Sequence, residues 1–545
     1  MHRINARDNR STTWRTIALT AAVFTSSFPG AWALCAQSVG ESGAFLLRAK
    51  ADTVVIERFT RSADTLQGSV STKGLPRVDY VAALGADNTV RTLSLAVFAS
   101  NAKADDVPMQ RVRFTMQGDS AVADIAGRML RIATKAGAIP WVNNSYALLE
   151  LLTARARAAG GAAEVPLLVV SGGVTLTTTS KPLGTDSLVV TIAGQEQHLR
   201  VDAKGRIGGG SVRSQQIEVI RVSGAAIASL KLGSPDYSAP AGAPYIAEEV
   251  TLEGPGGITL GGTLTIPKNS PRPVPAIVTI TGSGQQDRDE YIPVAGGYRP
   301  FRQIADTLGR RGIAVLRLDD RTIGLSTGAI GTSADYADDI RAALAYLRRR
   351  KDIDGERLGL VGHSEGGLIG PLVASTDPRL KGIVVLDGPA YTGSEIIHFQ
   401  LRNQVNHDSS VAMDKKDSAY RSILAAFDSS AQRDVWLRFF LAYDPIPTAM
   451  KVKVPALIVQ GRTDQQVTYE QAEKLGAAMR RGGNRSVTVR VFPDLNHLLI
   501  HDPDGNPAGY AMLSSNKVSS DVLGAVADWL ALKLSVNATH RAAVP

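Results

Sequence analysis

Two kinds of hydrophobic patterning divide the chain. From about residue 38 to 240, apolar and polar positions alternate in short runs: Thr53–Phe59, Arg91–Val97, Arg111–Met116, Leu167–Val170, Ser187–Ile192 and Gln216–Val222. Clusters of glycine, asparagine and aspartate separate them. A period of two bounded by turn residues predicts antiparallel strands. One helix-compatible stretch, Ser145–Ala158, interrupts the series, so the expectation is a β-rich domain over 34–240, folded as a curled sheet or half-open barrel. The Pro/Gly/Ala-rich segment from Ser234 to Pro244 reads as a linker.

Beyond it the texture changes. Continuous apolar runs fall near Ile258–Ile266, Ala276–Ile280, Ala314–Leu318, Leu358–Val361, Gly382–Leu386, Ala456–Val459 and Val487–Phe492. Helical patterns such as Ala334–Arg349 and Tyr469–Met479 come between them. Strands that are apolar on both faces, alternating with helices, predict a doubly wound, mostly parallel α/β sheet over 245–536. The gap from Gly388 to Lys451 is too long for a simple connection. It carries three helical patterns, Glu395–Val405, Asp417–Phe427 and Ala431–Ala442.

The candidate chemistry sits where strands end. Leu358–Val361 runs into Gly362-His-Ser-Glu-Gly366, and a helix-compatible run, Leu368–Val373, follows. Strand, sharp turn and helix with Ser364 at the turn is the setting of a nucleophile elbow: the hydroxyl must stand clear of the sheet, and side chains two residues to either side would collide with strand and helix. A serine hydroxyl is a weak nucleophile at neutral pH, so it needs a base, and the base needs an orienting acceptor. Asp464 follows the strand Val454–Gln460. His497 follows the alternating strand Ser486–Phe492. The order Ser364, Asp464, His497 is that of a hydrolase triad on an α/β sheet. His501 competes for the base role, four residues on and beside Asp502. Asp494 competes for the acid but lacks a strand of its own, and a turn role after Pro493 suits it better. His398 and His407 precede Asp464, and His540 lies in the tail.

An oxyanion needs two backbone N–H donors. Glu365, next to the nucleophile, supplies one. The loop Gly282-Ser-Gly284 after the strand Pro275–Thr281 supplies the other, with Ser283 ahead of Gly284. No Gly-Lys-Ser/Thr follows this loop and no G-x-G-x-x-G is complete, which argues against nucleotide binding. The charged run Asp287-Arg-Asp-Glu290 either orients that loop through an Arg288–carboxylate pair or is a solvated loop. Asp319, Asp320 and Arg321 carry the same two readings.

Residues from about 245 to 535 resemble an α/β-hydrolase of the bacterial serine-esterase and dienelactone-hydrolase-like group, which adjoins the prolyl-oligopeptidase-like peptidases. Four segments carry the resemblance: Thr281–Glu290, Leu318–Gly328, Gly362–Gly367, and Gly461-Arg-Thr-Asp464 with His497. Thr322 departs from it, because such loops usually have glycine after the arginine. The resemblance implies a helical cap over the active site, here 391–450. Ile397, Phe399, Leu401, Trp436, Phe439 and Phe440 are candidates for an acyl pocket or for packing within the cap. It also implies cleavage of a small-molecule carboxylic ester through an acyl-enzyme, without cofactor or metal. A peptidase is the nearest rival, although no regular blade repeat of a propeller precedes the hydrolase half. A non-catalytic binding protein on the same fold is the other alternative.

Composition adds limits. The 545 residues, 44% hydrophobic and 20% charged, are those of a globular chain. The formal charge is +9. The one dense basic run, Arg348-Arg-Arg-Lys351, ends a helix pattern, where cations favour the dipole, and no aromatic-rich basic patch accompanies it, so nucleic acid is not an expected partner. At the amino terminus Arg3, Arg7, Arg10 and Arg15 precede the apolar stretch Ile17–Phe24 and the small-residue site Ala31-Trp-Ala33. This pattern predicts an export signal over 1–33, with a periplasmic or extracellular protein and no stable membrane span after its removal. The single cysteine, Cys35, excludes an internal disulfide. Leu34 before it makes a poor lipidation site.

Overall fold

The computed structural model describes residues 40–536 apart from 50–51, 101, 103–104, 126, 172, 193, 234, 269, 293–294, 408–410 and 432–433. The expected export signal at 1–33, Cys35, Ser234 and His540 lie outside the described residues.

The amino-terminal strands join one fifteen-stranded sheet. The chain enters near its middle with Glu41–Ala49 and meanders outward strand by strand to Arg128–Ala133 at one edge. It then crosses to Ile139–Trp141 at the other edge and meanders back until Ile217–Val222 pairs with the first strand. All pairings are antiparallel except Ile139–Trp141 with Ala163–Val169. The alternation expected from the sequence is visible in Ser187–Ile192, where every second side chain is buried. The helix Tyr146–Ala158 packs against strands from both halves of this sheet. Its amino terminus is capped by the Ser145 hydroxyl and by the buried Glu57 carboxylate, which accepts from the N–H groups of Tyr146 at 2.7 Å and Ala147 at 3.0 Å. Placing a carboxylate at a helix N-terminus satisfies donors that the helix cannot.

The second sheet has eight strands in the order 245–253, 259–267, 314–318, 274–280, 353–363, 382–386, 456–461, 487–492. The first three of that order pair antiparallel and the rest parallel. Successive residues of its central strands feed opposite layers. Ala276, Val278, Ile383, Val385, Ala456 and Ile458 enter one core; Ile277, Val384, Leu386, Leu457 and Val459 enter the other. That is the physical reason for unbroken apolar runs. The first layer is closed by the helices Ser333–Arg349, Gly366–Ala374 and Glu470–Arg481, the second by Pro300–Arg310 and Ser520–Lys533. Four helices, Gly393–His407, Lys416–Ala431, Val435–Ala442 and Pro445–Ala449, lie between the strands Gly382–Leu386 and Ala456–Gly461.

The strand Tyr245–Glu253 falls at the edge of what the sequence pattern assigned. Its mix of three glutamates with Val250 and Leu252 is that of an edge strand buried on one face. The two sheets also meet through loops: Gly324 N–H donates to the Ser100 hydroxyl at 3.0 Å, and the turn Pro507–Met512 lies against Arg213–Gln215.

The run Asp287–Glu290 is not a solvated loop, and that alternative is overturned. All four residues are buried. Arg288 makes a bidentate pair with Asp319, Nε to Oδ1 at 3.0 Å and a terminal nitrogen to Oδ2 at 2.6 Å, and donates to Thr263 at 2.8 Å. Asp289 pairs with the buried Arg317. This clamp fixes the loop after the strand Val274–Ile280 to the ends of its neighbours. Arg288→Met leaves Asp319 buried without its counter-charge, and such a break costs about 3–5 kcal/mol. Urea unfolding should show that loss as a lower midpoint with an unchanged slope.

Candidate active site

The site starts from a backbone conformation. Ser364 has φ of +54°, which a residue with a side chain rarely adopts. The flanking glycines make the turn possible: a Cβ on Gly362 would lie 2.0 Å from the Gly366 carbonyl oxygen, and one on Gly366 would lie 2.1 Å from the Ile280 oxygen. Ser364 is partly exposed between buried neighbours, and the helix Gly366–Ala374 begins just after it.

His497 Nε2 lies 3.0 Å from Ser364 Oγ, and His497 Nδ1 lies 2.7 Å from Asp464 Oδ2. The remaining lone pairs of Asp464 are occupied. Its Oδ1 accepts from the N–H groups of Gln466 at 2.7 Å and Val467 at 2.9 Å, and its Oδ2 from Gln460 Nε2 at 2.9 Å. The carboxylate is therefore held in one orientation. The loop carrying His497 is pinned by Asn496, whose Oδ1 accepts from Leu498 and Ile500, and by Tyr298, whose hydroxyl donates to the Leu498 carbonyl. The competing residues lie elsewhere. His501 is exposed and contacts the Asp494 carbonyl, Asp494 itself occupies a turn with φ of +54°, and His407 caps its own helix through the Asn403 carbonyl.

The N–H groups of Ser283 and Glu365 have no hydrogen-bond partner among the described residues, and both residues line the cavity that contains Ser364. The loop of Ser283 lies against the nucleophile turn: a Cβ on Gly282 would meet Ser364 Cβ at 3.3 Å. The Glu365 side chain is buried. Burial lifts its carboxyl above the usual range, while hydrogen bonds from the Ser333 hydroxyl at 2.6 Å and Trp436 Nε1 at 2.8 Å pull it back.

The cavity measures about 410 Å³. Of the six candidate acyl-pocket residues, Ile397, Trp436 and Phe440 line it, together with Ile396, Leu498 and Pro507; Phe399, Leu401 and Phe439 do not. Trp436 and Phe440 stack with centroids 5.4 Å apart.

Three buried groups beside this relay escaped the sequence reading. His363 Nδ1 lies 2.6 Å from Glu290 Oε1, and its Nε2 lies 2.8 Å from the His497 carbonyl. Glu290 Oε1 also accepts from Gly282 N–H at 3.2 Å. Asp387, with φ of +47°, accepts from Gly461 N–H at 2.8 Å, and burial with the nearby Asp464 charge pushes its carboxyl far above the usual range. The signal for Glu290 was its place in a charged run directly after a strand, and for His363 its place inside the turn motif. Asp387 gave only its position at a strand end. Ligand-capable atoms of His363, Asp387 and His497 come within 4.8 Å of one another, the distance range of a metal site. Both nitrogens of each histidine already have hydrogen-bond partners, so no histidine lone pair points at a shared centre.

Thr322 has φ of +76°, a conformation that favours glycine, and its buried hydroxyl lacks a partner among the described residues.

Residues 332–515 match the prolyl oligopeptidase family. The esterase EstD of Thermotoga maritima is 28% identical over 306 residues, which cover 54% of this chain and 69% of that protein. The uncharacterized peptidase YuxL of Bacillus subtilis is 28% identical over 170 residues, 30% of this chain and 22% of that one. Among solved structures, Est1E from Butyrivibrio proteoclasticus is 19% identical with a TM-score of 0.35, covering 53% of this chain and 99% of that one. In its family match and in its likeness to EstD, the chain is similar to the α/β-hydrolase esterases and hydrolases related to the prolyl oligopeptidases.

Proposed function

We propose that the protein is a serine hydrolase that cleaves small-molecule carboxylic esters through an acyl-enzyme. The observation that carries this reading is the unbroken chain of hydrogen bonds from Ser364 Oγ through His497 to Asp464. In the proposed reaction His497 takes the Ser364 proton as Oγ attacks the ester carbonyl, and returns it to the departing alcohol. Water then repeats the cycle on the acyl-enzyme. Asp464 keeps the proton on His497 Nδ1 and stabilises the imidazolium. The N–H groups of Ser283 and Glu365 would hold the oxyanion. The aromatic and aliphatic wall around Trp436 and Phe440 suits an apolar acyl or aryl group.

The match to the prolyl oligopeptidase family favours one second reading, a peptidase with the same residues. Comparing p-nitrophenyl esters with aminoacyl anilides separates the two. The ester reading expects turnover of the esters and little of the anilides, and the reverse ratio would replace it. Fluorophosphonate should label wild-type protein and not Ser364→Ala. The substitution should lower kcat by roughly 10⁴- to 10⁶-fold. Absence of labelling in the wild type would favour a binding protein on this fold.

We further propose that residues 1–33 direct export. No helix among the described residues is long and apolar enough to cross a membrane. Mass spectrometry of protein from the periplasm or medium should find an amino terminus near Leu34. Retention of Met1 in that fraction would refute the proposal.

A further inference from the structure

His363 and Glu290 hold no place in the proton relay, yet both are buried inside the site it occupies. Together they touch three separate loops. Glu290 Oε1 binds the N–H of Gly282, directly before Ser283. His363 is the residue before the nucleophile, and its Nε2 reaches the carbonyl of His497 itself. We propose that the His363–Glu290 pair is a positioning element, which sets the base and the oxyanion loop in register with the nucleophile turn; this rests on the ester-hydrolase reading above.

The hydrogen bonds constrain where the protons are. A carbonyl only accepts, so His363 Nε2 bears a proton. Nδ1 faces a carboxylate at 2.6 Å. Burial works against a charge on His363, but the Glu290 charge and hydrogen bond outweigh it and hold the imidazole up to about 9. The ring is therefore an imidazolium at neutral pH, donating on both sides. Besides Glu290, the titratable groups facing it are Asp387 and His497. A charged donor on the His497 carbonyl fixes that residue's backbone, and so the point from which its ring reaches Ser364 Oγ. The same carboxylate that holds the imidazolium fixes Gly282. A neutral substitute at either position keeps the volume but loosens both attachments together. Errors near 1 Å in such positions cost on the order of 10²-fold in rate.

The test uses full-length protein with Glu290→Gln, with His363→Gln and with both changes, assayed on a p-nitrophenyl ester. Each single variant should lose at least tenfold in kcat, with KM changed less than threefold, because the apolar wall around Trp436 and Phe440 is untouched. The double variant should be no more than threefold worse than the poorer single one, because both changes break one device. A single variant within twofold of wild-type kcat overturns the proposal, as does a double loss equal to the product of the two single losses. Where a variant fails to fold, nuclear magnetic resonance of wild-type protein with ¹⁵N-labelled histidine decides instead. At pH 7.5 the His363 ring should show both N–H protons, and a neutral ring there overturns the proposal. A wild type without ester turnover refutes the ester reading and this proposal together, whereas an active wild type with unaffected variants refutes this proposal alone.

Discussion

The left-handed backbone at Ser364 is the constraint around which the site is arranged. A φ of +54° on a residue with a side chain costs free energy that the surroundings must offset. The turn persists because the strand Ile353–His363 and the helix Gly366–Ala374 are both fully engaged, the strand in parallel pairing on both edges and the helix in the core. Neither can move without breaking the other's packing. The result is a hydroxyl projecting from the rim of the sheet, with the two glycines clearing space that no larger residue leaves.

A second expense lies next to that turn. Arg288, Asp289, Glu290, Arg317 and Asp319 are all buried at the ends of the strands. Desolvating so many charges gives little net stability, because hydrophobic residues of the same shape often serve as well or better. What the charges provide is direction. Arg288 meets Asp319 in one bidentate geometry, and Glu290 meets His363 and Gly282 through one oxygen. An apolar loop could slide along the sheet by small steps at little cost, whereas this one cannot slide without leaving a charge unpaired. The loop that holds the proposed oxyanion donor is thus fixed by electrostatics, and the core beneath it by packing.

This division explains what the sequence could tell. The strands Gly382–Leu386 and Ala456–Gly461 were legible because burial on both faces demands unbroken apolar runs. Ser364, Asp464 and His497 were legible as a set because each follows a strand, in an order the sheet imposes, and the structure brings their side chains together. The helix Pro300–Arg310 left no assigned signal, and Tyr245–Glu253 left only a weak one, since an edge strand with three glutamates carries half the apolar signal. The charged run 287–290 was ambiguous for a deeper reason. Charge in a loop normally means water. Its burial depends on Arg317 and Asp319, about thirty residues away, and on His363, 73 residues away. Local pattern has no access to partners at that separation.

Glu365 shows how far such long-range pairing reaches into function. Its backbone is the proposed second oxyanion donor, and its carboxylate accepts from Trp436, 71 residues away on the helix Val435–Ala442. Trp436 stacks on Phe440 to form part of the cavity wall. One residue therefore joins the reacting centre to the surface that would select the acyl group. A change in the helices between Gly393 and Ala449 that displaced Trp436 would leave the buried Glu365 carboxylate short of a donor. The cost of an unmet buried acceptor, about 1–3 kcal/mol, opposes that displacement. The wall and the Ser364 turn are held together by this hydrogen bond as much as by their shared core.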